Sequence, residues 1–299
     1  MKEQTKQTCS LFIENRNRAK SVFRWDGGLR PLACADICIA KGIVVDKMEL
    51  ERSREILNEM VGIFSNFRST ARAPITTMLA VSGDPNVTLD HGLAVYQLLK
   101  QDFRTSAYLP VASMIIAQLA EPAQYAGIAA RTREIYNRMK EEHPFLTSAE
   151  DSAFCALLAL SDKSDDTLIG DAERCFQILK PQFFSSNAVQ SLGHVLALCD
   201  GEAQTKCQRT LELFDLLQAA GCKYGTSYEL PTLGVLAMSG DNCSDLAQEL
   251  AEIDGWLSEQ DGFGFFSGVS GKQRLMYAGM IAMQEYLSET AMQTAVTYP

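Results

Sequence analysis

The sequence of 299 residues contains no recognisable catalytic, metal-binding or nucleotide-binding motif. It also has no proline-, glycine- or serine-rich linker and no low-complexity segment, so we expect one continuous domain over residues 1–299. No apolar run approaches the roughly 20 residues that cross a bilayer, and the first residues do not resemble a signal peptide. We therefore expect a cytoplasmic protein with no membrane partner.

Positive charge and metal ligands are also scarce. The chain has 27 Lys and Arg against 37 Asp and Glu, a net charge of -10, and this argues against a general nucleic-acid binder, which needs cations facing the phosphates. The nine cysteines lie mainly in apolar stretches, which predicts buried, reduced thiols. Cys34 and Cys38 are four residues apart, but no second Cys or His pair completes a metal site. We expect neither a metal nor a cofactor.

A four-residue signature returns about every 40 residues. It consists of an aromatic residue, any residue, and two small hydroxyl or glycine residues. Such a period is typical of helical repeats, whose units bury their apolar faces only by stacking on their neighbours. We predict an all-α protein made of helical hairpins, with repeats starting near residues 25, 67, 103, 145, 183 and 224. The copies begin at Trp25, Phe67, Phe103, Phe145, Phe183, Tyr224 and Phe265.

Each signature precedes a stretch of about ten residues with almost no charge, which predicts a buried helix. These stretches are Pro74 to Ser82, Leu109 to Ala120, Ser152 to Ser161, Ala188 to Cys199 and Leu230 to Ser239. Thr147 with Glu150, and Thr226 with Glu229, have capping-box spacing at two of the helix starts.

The second helix of each repeat is amphipathic and carries an apolar pair four residues apart. The pairs are Ile56 and Met60, Val95 and Leu99, Ile135 and Met139, Cys175 and Leu179, Leu213 and Leu217, and Ile253 and Leu257. We therefore predict an inner layer of charge-poor helices and an outer layer of amphipathic ones.

Two terminal segments remain, a helix within residues 1–24 and a helix within residues 265–299. They either cap the open ends of an α/α superhelix or pair with each other and close the array into an α/α toroid. Periodicity does not fix the curvature of such an array, so both arrangements stay open.

Three stretches carry a family resemblance: Phe23-Arg24-Trp25, residues 64–73, and Phe145-Leu146-Thr147-Ser148-Ala149-Glu150-Asp151 followed by Ala156-Leu157-Leu158-Ala159. Their spelling resembles the bacterial family DUF4003, a family of unknown function, over nearly the whole chain. The resemblance implies a bacterial cytoplasmic setting and adds no mechanism.

Basic residues cluster near the starts of the first three charge-poor helices. A cation in the first helical turn opposes the helix dipole, which prefers anions there by about 0.3 to 1 kcal/mol. If these helix starts share an edge, arginine side chains and free backbone N–H groups would together favour a phosphate or a carboxylate. Alternatively, the arginines lie over aromatic neighbours or pair with acids of adjacent repeats. The candidate ligand-binding residues are Arg30, Arg68, Arg72, Arg104 and Tyr108.

We therefore expect a non-enzymatic scaffold that binds a protein or peptide on one face of the array. The alternative is a small-molecule or anion binder, or an enzyme, with its pocket at the arginine-bearing helix starts. Helical arrays host both roles, so the fold does not decide between them.

Overall fold

The computed structural model describes residues 1–24, 29–239, 242–264 and 268–286, and its regular structure in these ranges is entirely helical. The all-α prediction is therefore confirmed. The signature copy at 25–28, most of the copy at 265–268, and the predicted C-terminal helix beyond 286 lie outside these ranges. The α-helices in the described ranges are α1 (Glu3–Val22), α2 (Arg30–Ala40), α3 (Lys47–Met60), α4 (Arg72–Ala80), α5 (Pro85–Leu99), α6 (Leu109–Leu119), α7 (Tyr125–Glu142), α8 (Ser152–Leu160), α9 (Asp165–Leu179), α10 (Ser186–Leu198), α11 (Ala203–Ala219), α12 (Leu230–Ser239), α13 (Cys243–Ser258) and α14 (Gly271–Tyr286).

Two kinds of helix alternate along the chain. The even-numbered helices have few charged residues and are called the charge-poor helices here, and the odd-numbered ones are called the amphipathic helices. Every residue of α6 from Leu109 to Ile116 is buried, as expected for a helix that is apolar on all sides. By contrast, α7 buries one stripe that includes Tyr125, Thr132 and Met139 and exposes its charged face.

The described residues divide into two compact units. The first unit is Leu11–Asp165. In it, each of α4, α6 and α8 packs on the amphipathic helix that precedes it, α2 contacts α4, and α6 contacts α8. The amphipathic helices α3, α5 and α7 also contact one another in chain order. Both kinds of helix thus have neighbours of their own kind.

The second unit comprises Met1–Ser10 and the described residues from Asp166 onwards. Here α12 contacts both α10 and α14, and α11 contacts α13. The N-terminal segment belongs to this unit, and the Thr5 hydroxyl donates to Glu249 Oε1 at 3.1 Å. Gly193 lets α10 approach α9, because a Cβ at this position would lie 2.9 Å from the backbone oxygen of Ala172.

The apolar pairs of five amphipathic helices, α5 to α13, are buried as predicted. In α3 the register differs by one residue, because Leu57 and Val61 are buried while Ile56 and Met60 are half-buried. Leu50, at the start of the same helix, is also fully buried and lies seven residues before Leu57. The buried stripe therefore follows Leu50 and leaves Ile56 and Met60 at its margin.

The aromatic residues of the signature bridge successive helices. Each of three copies has an aromatic ring in the loop before a charge-poor helix that meets, edge to face, a ring on the next amphipathic helix. The pairs are Phe67 with Tyr96 at 5.1 Å, Phe103 with Tyr136 at 5.1 Å, and Phe183 with Phe214 at 5.3 Å between ring centroids.

Phe145 departs from this arrangement. Its side chain is 98% exposed, whereas Phe67 and Phe183 are buried. His143, which lies midway in sequence between Phe103 and Phe183, is half-buried and follows the last residue of α7. In this copy the signature therefore marks the loop between α7 and α8, but its aromatic side chain does not pack in the core.

Basic side chains on amphipathic helices cap the C-terminal ends of charge-poor helices. In the first unit, Arg131 on α7 donates to the backbone oxygens of Ala159 at 3.0 Å and Ser161 at 2.5 Å, and to Asp165 Oδ1 at 2.7 Å. In the second unit, Arg209 on α11 donates to Ala237 O at 3.0 Å. Helix C-termini carry unsatisfied carbonyl groups and favour cations, so these contacts stabilise the helix ends.

Candidate functional site

The candidate site lies in the first unit, at the starts of α4, α6 and α8. We call the loops that precede these helices, residues 61–71, 100–108 and 143–151, the N-terminal edge. The 3-10 turn Asn66–Arg68 in the first loop contacts α6, and Tyr108 in the second loop is hydrogen-bonded to Glu150 in the third. The second loop therefore lies beside the third, and the first loop lies beside α6.

The start of α8 is fixed by a capping box. The Ser148 backbone N–H donates to Asp151 Oδ2 at 2.8 Å, and the Ser148 hydroxyl accepts from the Glu150 N–H at 3.3 Å. The predicted pairing of Thr147 with Glu150 is wrong by one residue. A 3-10 turn at Ala149–Asp151 precedes α8, and Thr147 instead donates its buried hydroxyl to Met139 O at 3.2 Å.

Asp151 is the buried acid of this edge. Its residue surface is 6% exposed, and burial raises the pKa of its carboxyl group from 3.8 to about 6. The hydrogen bond from Ser148 lowers this pKa, and the negative charge of Glu150 raises it. At neutral pH the carboxylate is mainly ionised, so the cap operates against a desolvation cost.

Two of the predicted arginines have internal partners. Arg68 Nη1 donates to the backbone oxygens of Asn58 at 3.4 Å and Val61 at 3.5 Å, near the C-terminal end of α3. This contact matches a cation to a helix C-terminus and gives Arg68 a structural role. Arg72 is the first residue of α4, as predicted, and it too has an interaction within the protein.

Arg30 and Arg104 differ from Arg68 and Arg72 in their surroundings. Arg30 is the half-buried first residue of α2, and Arg104 is exposed in the loop before α6. Within the described ranges, neither side chain makes a hydrogen bond or an ion pair. Arg104 is therefore a solvated cation on the N-terminal edge.

Tyr108 presents its ring at this edge. The residue is 38% exposed, and burial together with the neighbouring Glu150 carboxylate raises the pKa of its phenol. The second unit has the same arrangement, because Tyr228 before α12 is 42% exposed and its hydroxyl accepts from Gln273 Nε2 at 2.6 Å. In both units a tyrosine hydroxyl thus joins the starts of two charge-poor helices.

Sequence reasoning missed the most exposed apolar residues of the edge. Phe64 is 94% exposed and Ile63 is 69% exposed in the first loop, and Phe145 is 98% exposed in the third. In the second unit, Phe184 is 99% exposed in the loop before α10. A signal for Phe184 and Phe64 was present, because a second aromatic residue, adjacent to Phe184 and three residues after Phe64, fills the buried position.

The edge carries both apolar and charged groups. Its exposed side chains include Ile63, Phe64, Phe145, Tyr108 and Arg104, together with Lys100, Asp102 and Glu150. Within the described ranges, His, Cys, Asp and Glu side chains form no group of three or more that could hold a metal ion. No helix in these ranges combines the length and apolar character that crossing a membrane requires.

Comparisons with known proteins find a matching family and a distant relative. A family model described as a protein of unknown function, DUF4003, matches residues 15–298. The uncharacterised protein YeaA of Bacillus subtilis strain 168 is 23% identical over 206 residues, which is 66% of this chain. The match covers 60% of the length of that relative. No solved structure matches the chain.

Proposed function

The chain belongs to DUF4003, a family of unknown function, and we propose that it is a non-enzymatic scaffold that binds a protein or peptide partner at its N-terminal edge. The observation that carries this proposal is the exposure of Phe64 and Phe145, at 94% and 98%, in two loops of the same unit that each precede a charge-poor helix. Single exposed apolar residues are common on protein surfaces, but aromatic residues are enriched at binding hot spots.

Magnitudes indicate what the partner must add. Complete burial of one Phe or Ile side chain gives roughly 1.5 to 3 kcal/mol. Ile63, Phe64 and Phe145 together would give roughly 4.5 to 9 kcal/mol before the costs of association, whereas micromolar affinity needs about 8.2 kcal/mol net. The partner must therefore also make polar contacts, for which Arg104 and Tyr108 are available.

The proposal includes an architecture and a setting. We propose that the helical hairpins form repeats of an α/α superhelix, with a closed toroid as the alternative. The contacts of α2 with α4, α6 with α8, α10 with α12 and α12 with α14 support the repeat. The family resemblance and the nine free cysteines support a bacterial cytoplasmic setting.

The test is photo-crosslinking from the edge. A benzoylphenylalanine placed at Phe145 should capture one partner in native lysate, and the same group placed at Met48 should not. Met48 is a suitable control because it is 71% exposed and lies in the first turn of α3.

Affinity measurements with the purified partner complete the test. Phe145→Ser and Phe64→Ser should each weaken binding about tenfold or more, and Met48→Ser should leave it unchanged. Equal crosslinking from residues 48 and 145, or unchanged affinity of both Phe variants, would refute the scaffold proposal.

The alternative is an anion-binding site at the same edge, and the solvated guanidinium of Arg104 favours it. Its test is a thermal-shift screen with phosphorylated and carboxylated metabolites. Arg104→Ala should abolish stabilisation by the ligand and leave the melting temperature without ligand unchanged. Arg52→Ala, which removes an exposed arginine of α3, should leave both the stabilisation by the ligand and the melting temperature without ligand unchanged.

A further inference from the structure

Two cysteines of the second unit face each other between α9 and α11. Cys175 and Cys207 are both fully buried, and both are free thiols. The Cys207 thiol donates to the backbone oxygen of Cys175 at 3.8 Å, and the two thiols are close enough to shift each other's pKa in opposite directions. Disulfide formation requires two cysteines in such proximity on adjacent backbones.

An ion pair beside the thiols holds the same two helices together. Lys206, which is 1% exposed, pairs with Asp171 on α9, one turn before Cys175. The Lys206 ammonium also donates to Leu196 O at 2.7 Å and Cys199 O at 3.1 Å. Because this ammonium is anchored at three points, the backbone next to Cys207 is fixed relative to α9.

The electrostatic surroundings favour a thiolate at Cys175. The interaction with the Cys207 thiol lowers the pKa of Cys175 most, burial and the Asp171 carboxylate raise it, and the Lys206 ammonium lowers it, so that the net shift is downward. The contrast is Cys155, a fully buried cysteine of the first unit whose pKa is raised well above its usual value by burial and by Asp151. Thiolate is the nucleophilic form, so Cys175 and Cys155 should differ in reactivity.

We propose that Cys175 and Cys207 form a reversible disulfide when hydrogen peroxide reaches them, so that the pair acts as a redox-sensitive link between α9 and α11. The Cys175 thiolate attacks one peroxide oxygen and breaks the O–O bond, which leaves a sulfenic acid and a hydroxide that becomes water. Cys207 then attacks this sulfur, forms the S–S bond and gives its proton to the departing hydroxide. Two thiols lose two electrons, one peroxide is reduced, and two waters leave.

The link encloses the whole of α10. It closes a loop of about 30 residues, which restricts the unfolded chain and should stabilise the second unit. A dithiol reductant reverses the reaction by attacking the disulfide. Peroxide is small enough to reach the buried pair when the helices open locally.

The experiment treats the folded protein with hydrogen peroxide and maps every cysteine by differential alkylation and mass spectrometry. We expect a peptide pair joined through Cys175 and Cys207, formed more than about tenfold faster than the oxidation of Cys155. The melting temperature should rise by about 5 to 10 °C and return to its first value with dithiothreitol. Cys207→Ser should abolish both the joined peptide and the thermal shift.

Three outcomes would overturn the proposal. The first is that Cys175 and Cys207 stay alkylatable while the more accessible Cys222 is oxidised. The second is that a disulfide between other cysteines forms in place of the Cys175–Cys207 link. The third is that the Cys175–Cys207 link forms only in denaturant. All three are read from the wild-type protein, so they decide the question even if Cys207→Ser does not fold.

Discussion

Replacement of Asp151 by Asn should stabilise the protein at neutral pH. The residue is 6% exposed, and burial raises its pKa from 3.8 to about 6. Between these values the native state holds a proton that the unfolded chain releases, so the free energy of unfolding falls as the pH rises from 4 to 6. A difference of about two pKa units corresponds to about 3 kcal/mol at pH 7. Asn removes the buried charge, and its Oδ1 can still accept from the Ser148 N–H.

Urea denaturation of wild type and Asp151→Asn at pH 7 and at pH 4 measures this effect. We expect a gain of about 1 to 3 kcal/mol at pH 7 and almost none at pH 4, where the native wild-type carboxyl group is protonated. Asp84→Asn is the control, because Asp84 caps α5 from an exposed position and the change should cost less than about 0.5 kcal/mol at either pH. A loss of stability at pH 7 would show that the charge–cap interaction outweighs desolvation, which would refute the reasoning.

Two further substitutions test the packing of the second unit. Lys206→Met leaves the buried carboxylate of Asp171 with only the exposed Arg174 guanidinium, at 3.4 Å, as an ion-pair partner. It should lower the free energy of unfolding by about 3 kcal/mol, the lower end of the cost of breaking a buried pair, and a loss below about 1 kcal/mol in urea denaturation would contradict the buried pair. Gly193→Ala should cost about 1 to 3 kcal/mol in the same assay, because its Cβ would lie 2.9 Å from Ala172 O. Gly255→Ala in α13 is the matched control, because a Cβ at this position meets nothing within 4 Å. It should stabilise the protein by up to about 1 kcal/mol. Equal effects of the two substitutions would refute the argument that Gly193 is needed for the close approach of α10 to α9.

The sequence predicted the buried helices well, because a helix that is buried on all sides excludes charged residues at nearly every position. The stretch Leu109 to Ala120 differs by one residue from α6, and Leu230 to Ser239 coincides with α12. It was harder to predict which individual residue of an amphipathic helix or a loop is buried. Phe145 satisfies the signature yet is solvent-exposed, because the side-chain direction depends on where α7 ends.

The location of the candidate site stays a prediction, and its contacts were not predictable. The sequence predicts a shared edge for the starts of α4, α6 and α8, and of these helices α6 and α8 are seen to pack on each other. It did not reveal that Arg68 caps α3, because that contact depends on the path of the loop in three dimensions. Arg131 and Lys206 were overlooked for a similar reason, since their carbonyl partners lie 28 residues ahead of Arg131 and 10 behind Lys206.

The capping of α8 by Arg131 has a consequence for local stability. Helix α8 has nine residues, fewer than the roughly 12 to 15 that an isolated helix needs to persist in water. Its C-terminal carbonyl groups accept hydrogen bonds from a side chain of α7, so α8 depends on α7 for its stability. Amide protons of α7 and α8 should therefore exchange with deuterium as one cooperative group, and a protease that severs α7 should release both.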